Sequence, residues 1–175
     1  MIMDQFKSVY TLNKDASGHV RIWNLNSKEL LLNQANIITY QGASIAAKAL
    51  SGLPNTSISH IYVGYNTTGT VPTVSVGDTV STITGLNSYA RIPLSFTPSF
   101  ANETNYSSNL VYFTVYITGS TPITDGKKIV ELGLVSAQDG NPSDDLLFSH
   151  ISFSPIIYQA AYGLAVTWGL TFRSA

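Results

Sequence analysis

Apolar and polar residues alternate strictly near the carboxyl end of the chain. Leu164, Val166, Trp168, Leu170 and Phe172 fall on one side, with Ala165, Thr167, Gly169 and Thr171 on the other. A period of two, with large apolar side chains on one face, belongs to a half-buried β-strand. Val111, Phe113, Val115 and Ile117 set against Tyr112, Thr114, Tyr116 and Thr118 repeat the pattern. Further β-rich runs over residues 58–65, 90–97, 129–137 and 146–153 are bounded by Gly, Pro, Asn, Asp or Ser. Residues 19–32 predict a hairpin turning at 24–28, and residues 6–12 a further strand or an arm.

One window follows a different period. Between residues 39 and 53, Ala46, Ala49, Leu50 and Leu53 recur at i, i+3, i+4 and i+7, the stripe of an amphipathic helix. Thr39 is placed to cap its start, and Gly52 with Pro54 supplies the stop. Residues 66–78 and 97–109 read as long polar loops. These elements predict an all-β chain: an antiparallel β-sandwich, jelly-roll-like, with one short α-helix near residues 41–52. No repeat and no linker divides it, so a single domain is expected. Within it, residues 1–35 form an amino-terminal arm or hairpin and residues 36–175 the sandwich.

Composition changes the picture in one respect. Of 175 residues only 11% are charged, against about 25% in an average soluble domain. Nine basic and ten acidic residues leave a net charge of −1. Solubility usually rests on a charged surface with net charge away from zero. A neutral surface of Ser, Thr, Asn and Tyr therefore suits a chain covered by neighbours. The basic residues stand singly apart from Lys127-Lys128, which argues against nucleic acid as a partner. No run approaches the roughly 20 apolar residues of a membrane-spanning helix, and no export signal is expected from residues 1–7. The absence of cysteine removes disulfides, thiolate nucleophiles and Cys-ligated zinc.

Candidate chemistry is sparse. His19, His60 and His150 belong to no metal-binding motif, and the two in predicted strands, His60 and His150, read as satisfied or half-exposed strand residues ahead of a metal or catalytic role. The turn at residues 139–145 offers oxygens at alternate positions from Asp139, Asn141, Ser143 and Asp145, as a calcium loop begins. Asp144 then stands where the loop needs glycine, and His150 where it needs a bidentate Glu, so a solvated turn is expected. Glu131 lies inside the apolar run 129–135. It is expected to face outward or to meet a partner such as Arg91 or Arg173, because no second carboxylate is near it in sequence. No P-loop, G-x-S-x-G or dinucleotide fingerprint occurs, so no enzyme and no cofactor are expected. Ten tyrosines, among them Tyr62, Tyr65, Tyr89, Tyr106, Tyr112 and Tyr116, fit either strand packing or a stacking platform for sugars or peptides.

Several segments together carry a family resemblance. Asn36-Ile37-Ile38-Thr39 followed by Gly42 opens an Ala-rich helix, and a strand ending in Val63-Gly64 comes next. Ala90-Arg91-Ile92, Glu131-Leu132-Gly133-Leu134, the run 148–155 and the closing strand 164–172 follow in order. This arrangement resembles a group of small virion proteins of tailed bacteriophages. The resemblance implies a non-enzymatic structural part, such as a capsid decoration or cement protein. A tail, collar or fibre component is the first alternative and a carbohydrate-binding module the second. It further implies major capsid or tail proteins as partners, a location in the virion, and a homotrimer or higher symmetric oligomer. Residues 1–35 fall outside the resemblance. Phe6, Val9, Tyr10 and Leu12 are the interface candidates there, since an arm too short to bury them alone would bury them on a neighbour.

Overall fold

The computed structural model describes residues 16–94, 99–100, 109–138 and 140–172. The chain is mostly antiparallel β. Its strands are β1 (Ala16–Asn24), β2 (Leu30–Ile38), β3 (His60–Asn66), β4 (Ser88–Pro93), β5 (Ser99–Phe100), β6 (Leu110–Ile117), β7 (Lys128–Ser136), β8 (Leu146–Ile157) and β9 (Leu164–Phe172). Among the described residues two helices interrupt them: α1 (Tyr40–Leu50) and α2 (Val80–Leu86). A short 3-10 turn, Pro142–Asp144, precedes β8.

Rather than pairing as two separate sheets, the nine strands run in one order, β4-β3-β7-β8-β2-β1-β9-β6-β5. The sheet curls into a half-barrel. Strand β2 is the joint between its two arms: Leu30 to Asn36 pair with β1, whereas Ile37 and Ile38 pair with Ser149 and His150 of β8. The expected hairpin forms, with β1 lying between β2 and β9 at the centre of the sheet. Residues 16–35 therefore share one core with the rest. That core takes Val20 and Ile22 from β1, Val166 and Trp168 from β9, Ile61 and Val63 from β3, and Leu132 and Leu134 from β7. The alternation in β9 places Trp168 wholly inside, as its period requires.

Helix α1 forms where expected, and Thr39 caps it by accepting a hydrogen bond from the Gly42 N–H at 3.0 Å. Its buried face is a correction: Gly42, Ala43 and Ile45 turn inward, while Leu50 is 89% exposed. The reason lies in β8. Thr39 N–H donates to the Phe148 carbonyl at 3.1 Å, its hydroxyl donates to the Leu147 carbonyl, and Gln41 Oε1 accepts from the Leu147 N–H at 2.9 Å. These bonds press the first turn onto the strand so closely that a Cβ at Gly42 would stand 2.0 Å from the Phe148 carbonyl oxygen. The orientation is set by backbone bonding at one end, and the far end swings outward.

Helix α2 is not legible in the sequence as a stripe. With the loop before it, it folds over the outer face of β3 and β7, forming a flap over a second small core of Tyr62, Val80, Ile83, Val135 and Leu147. Strand β7 is consequently buried on both faces, which accounts for a near-continuous apolar run where a half-exposed strand would alternate.

Candidate functional site

The densest polar chemistry lies under the flap, centred on His150. Outer-face positions on neighbouring strands meet in register: Gly64 stands opposite Glu131, Tyr62 opposite Gly133, and Gly133 opposite His150. With glycine at 64 the space above that strand is empty, and the Glu131 side chain lies across it; a Cβ there would stand 2.3 Å from Glu131 Cγ. His150 and Glu131 are fully buried. His150 Nδ1 lies 2.7 Å from Asp78 Oδ2, and Nε2 lies 2.9 Å from Glu131 Oε2. Each ring nitrogen thus shares a hydrogen bond with a carboxyl oxygen, so both ends of the ring are engaged inside the protein.

The network extends to both ends of the flap. Asp78 Oδ2 also accepts from the Ser75 N–H at 2.7 Å. Glu131 Oε1 accepts from Asn87 Nδ2 at 2.5 Å, and Asn87 Oδ1 accepts from Asn66 Nδ2 at 2.8 Å. Asn66 closes β3, Asp78 precedes α2 and Asn87 follows it. A single histidine thus ties the entry and exit of the flap to the sheet.

One sequence expectation is corrected here. Glu131 does face the outer side of its strand, but the flap buries it, and its partner is His150. Arg91 is engaged elsewhere, and Arg173 lies outside the described residues. His150 is the satisfied strand histidine expected, with two carboxyl groups as its partners. The missed signal was Asp78, which sits at the end of a polar loop 53 or more positions from either partner and carries no spacing that marks it.

A second network holds the turn before β8. Asp145 carboxylate accepts from Arg91 Nε at 2.7 Å, from the Tyr62 hydroxyl at 2.8 Å and from the Gln138 N–H at 3.0 Å. Burial alone would raise its pKa, but the bonds from Arg91, Tyr62 and Gln138 outweigh it and hold the carboxyl below its ordinary value. Burial, with the bond to Asp145, pushes the Tyr62 phenol well up. Burial and then the nearby Arg91 charge lower His60, whose Nδ1 lies 2.9 Å from the Ser59 hydroxyl. Tyr62 stacks on Tyr89 with centroids 5.4 Å apart.

The solvated turn expected at residues 139–145 is therefore corrected at its last member, since Asp145 is buried and ion-paired. Asn141 Oδ1 accepts from the Ser143 N–H at the start of the 3-10 turn, and its amide donates to Asp144 at 2.9 Å. Asp139 lies outside the described residues. Among those described, no group of three or more His, Cys, Asp or Glu is arranged to hold a metal ion. The interface candidates Phe6, Val9, Tyr10 and Leu12 also lie outside them, as does Tyr106. The remaining tyrosines do not form one platform: Tyr62 and Tyr89 lie on β3 and β4, Tyr112 and Tyr116 on β6.

One apolar groove remains open among the described residues. It measures about 390 Å³ and runs between α1 and the β6–β9 edge, lined by Ile45, Ala46, Ala49, Leu50, Ile58 and Phe172 among others. Of the predicted helical stripe, Ala46, Ala49 and Leu50 line this groove. No helix among the described residues is long and apolar enough to cross a membrane. The chain matches no protein family, no curated protein and no solved structure.

Proposed function

We propose that the protein is a non-enzymatic structural component of a tailed-bacteriophage particle, of the decoration or cement type that binds a capsid surface. The observation that carries this reading is the apolar groove beside α1. Leu50 at 89% exposure and Leu53 at 52% stand at its end of the helix, on a chain whose net charge is −1. Apolar surface left open on a charge-poor chain favours a permanent neighbour over free solution. Copies of a nearly neutral chain do not repel one another, so a second copy in a symmetric oligomer, a trimer first, is the occupant. The two arms of the half-barrel, facing each other across one core, support a sandwich-like description of the domain.

Burial of the His150 network supports the non-enzymatic part of the reading. Both ring nitrogens are engaged, and the ring and Glu131 are closed to solvent, so a reactant has no route to them. The sequence resemblance supports the particle, and with it the virion as location. A tail or collar position is the second reading, and rests on that resemblance alone. The test joins gene context to binding. Terminase, portal or capsid genes are expected beside this one, and the purified protein should co-sediment with capsids assembled from the neighbouring capsid gene. Leu50→Asp should leave it in the supernatant. A neighbourhood without such genes, or a wild-type protein that never pellets with capsids, contradicts the reading.

A further inference from the structure

The outer face of the other arm carries a walled slot. Strand β9 presents Thr167, Gly169 and Thr171 outward between β6 and β1. In register, Tyr112 and His19 stand on either side of Gly169, and Thr114 and Arg21 on either side of Thr167. Two strand spacings separate the walls, about 9–10 Å. The slot so formed has a volume of about 140 Å³ and is lined by Leu110, Tyr112, Gly169, Thr167, His19 and Arg21, with Thr171 at its end. That is well below the roughly 300–1,000 Å³ of pockets for larger ligands, so it suits one small ring.

Its donors are aimed by a single residue. Asn33 Oδ1 on β2 lies 2.5 Å from His19 Nε2 and accepts from Arg21 Nε at 3.3 Å. That leaves the two terminal nitrogens of the guanidinium without a protein partner among the described residues. The three ion pairs among the described residues all lie on the other arm, so no described carboxylate pairs with Arg21. The Tyr112 ring packs over the glycine, its Cε1 3.5 Å from where a Cβ of residue 169 would stand.

We propose that this slot binds a saccharide bearing a carboxylate, a uronic acid or sialic acid unit. The sugar ring lies against Tyr112, whose face is apolar and whose hydroxyl is polar. The carboxylate meets the free fork of Arg21, which recognises it in a bidentate manner. The hydroxyls of Thr167 and Thr171 and the ring of His19 serve the sugar hydroxyls. A nucleic acid is disfavoured, since one arginine cannot neutralise a run of phosphates. The inference is independent of the assembly reading, because the slot and the apolar groove lie on opposite faces of β6 and β9.

Amide chemical shifts of the wild-type protein titrated with methyl β-glucuronide and, separately, with methyl β-glucoside test it. Shifts should concentrate at Tyr112, Thr167, Gly169 and His19, with the glucuronide bound about tenfold more tightly, the worth of a charge-assisted bond. Arg21→Gln should abolish that preference. Gly169→Ala should abolish binding of both sugars with the melting temperature kept, because the added methyl meets Leu110 and Tyr112 only at an ordinary 3.5 Å and fills the floor. Shifts absent from the slot with both sugars overturn the proposal. Equal affinity for the two sugars, or a preference that survives Arg21→Gln, overturns the assignment of a carboxylate ligand. Loss of the slot signals through self-association, seen as their dilution dependence without sugar, assigns the face to a protein contact and likewise overturns it.

Discussion

His150 is the residue on which most depends. It is hydrogen-bonded to two carboxyl groups that would otherwise be buried without that partner, and each of those holds one end of the flap. Removing one member of a buried polar network is costly because the others stay buried and unpaired. His150→Ala should therefore lower stability by about 3–5 kcal/mol, read from urea denaturation. Loss at Asn33, which bonds only exposed groups on the other arm, should sit near zero by the same measurement. A loss below about 1 kcal/mol at His150 would mean the flap is held by the apolar contacts of Val80 and Ile83 instead. Little of this was legible in the sequence. Glu131 announced itself by sitting inside an apolar run, but its partners come from β8 and from a loop, brought together only by strand register and the fold-back of the flap. Trp168, by contrast, was fully legible, since period two alone fixes the face it occupies.

At the scale of elements, legibility followed the strength of local periodicity. The strands β6 and β9 alternate over eight and nine residues and were read with nearly their observed limits. Strand β7 shows no alternation because both its faces are covered, and its run was identifiable as β only from composition and flanks. Helix α1 was found by its spacing and cap, yet its inward face was misread, because bonds from Thr39 and Gln41 to β8 outweigh the apolar stripe. Helix α2 is seven residues long, too short for a stripe to emerge.

The turn before β8 makes an element-scale prediction. Asp145 gives up its proton more readily when folded than when unfolded. Below the unfolded value, about pH 4, the unfolded chain binds more protons, so stability is present above that pH and is lost as pH falls through the folded value. Thermal melts from pH 6 to pH 2 should show this decline, flattened in Asp145→Asn. An unchanged slope in the variant would assign the acid sensitivity to another carboxylate.

At the scale of the whole molecule, the single curled sheet explains how one chain carries three separate surfaces. The flap covers the outer face of one arm with a polar spine. The outer face of the other arm is left open and forms the slot. The mouth between α1 and the β6–β9 edge is left open and apolar, with core residues such as Phe113, Phe148 and Leu170 forming its floor. Among the described residues nothing closes that mouth, and the proposed assembly fills it with a second copy of the chain. Sedimentation of the wild-type protein and of Leu50→Asp at tens of micromolar tests this most directly. The account predicts a symmetric oligomer for the wild type. It predicts a folded monomer for Leu50→Asp, whose side chain is too exposed to affect folding. A wild-type protein that sediments as a monomer, or an oligomer indifferent to Leu50→Asp, would contradict it.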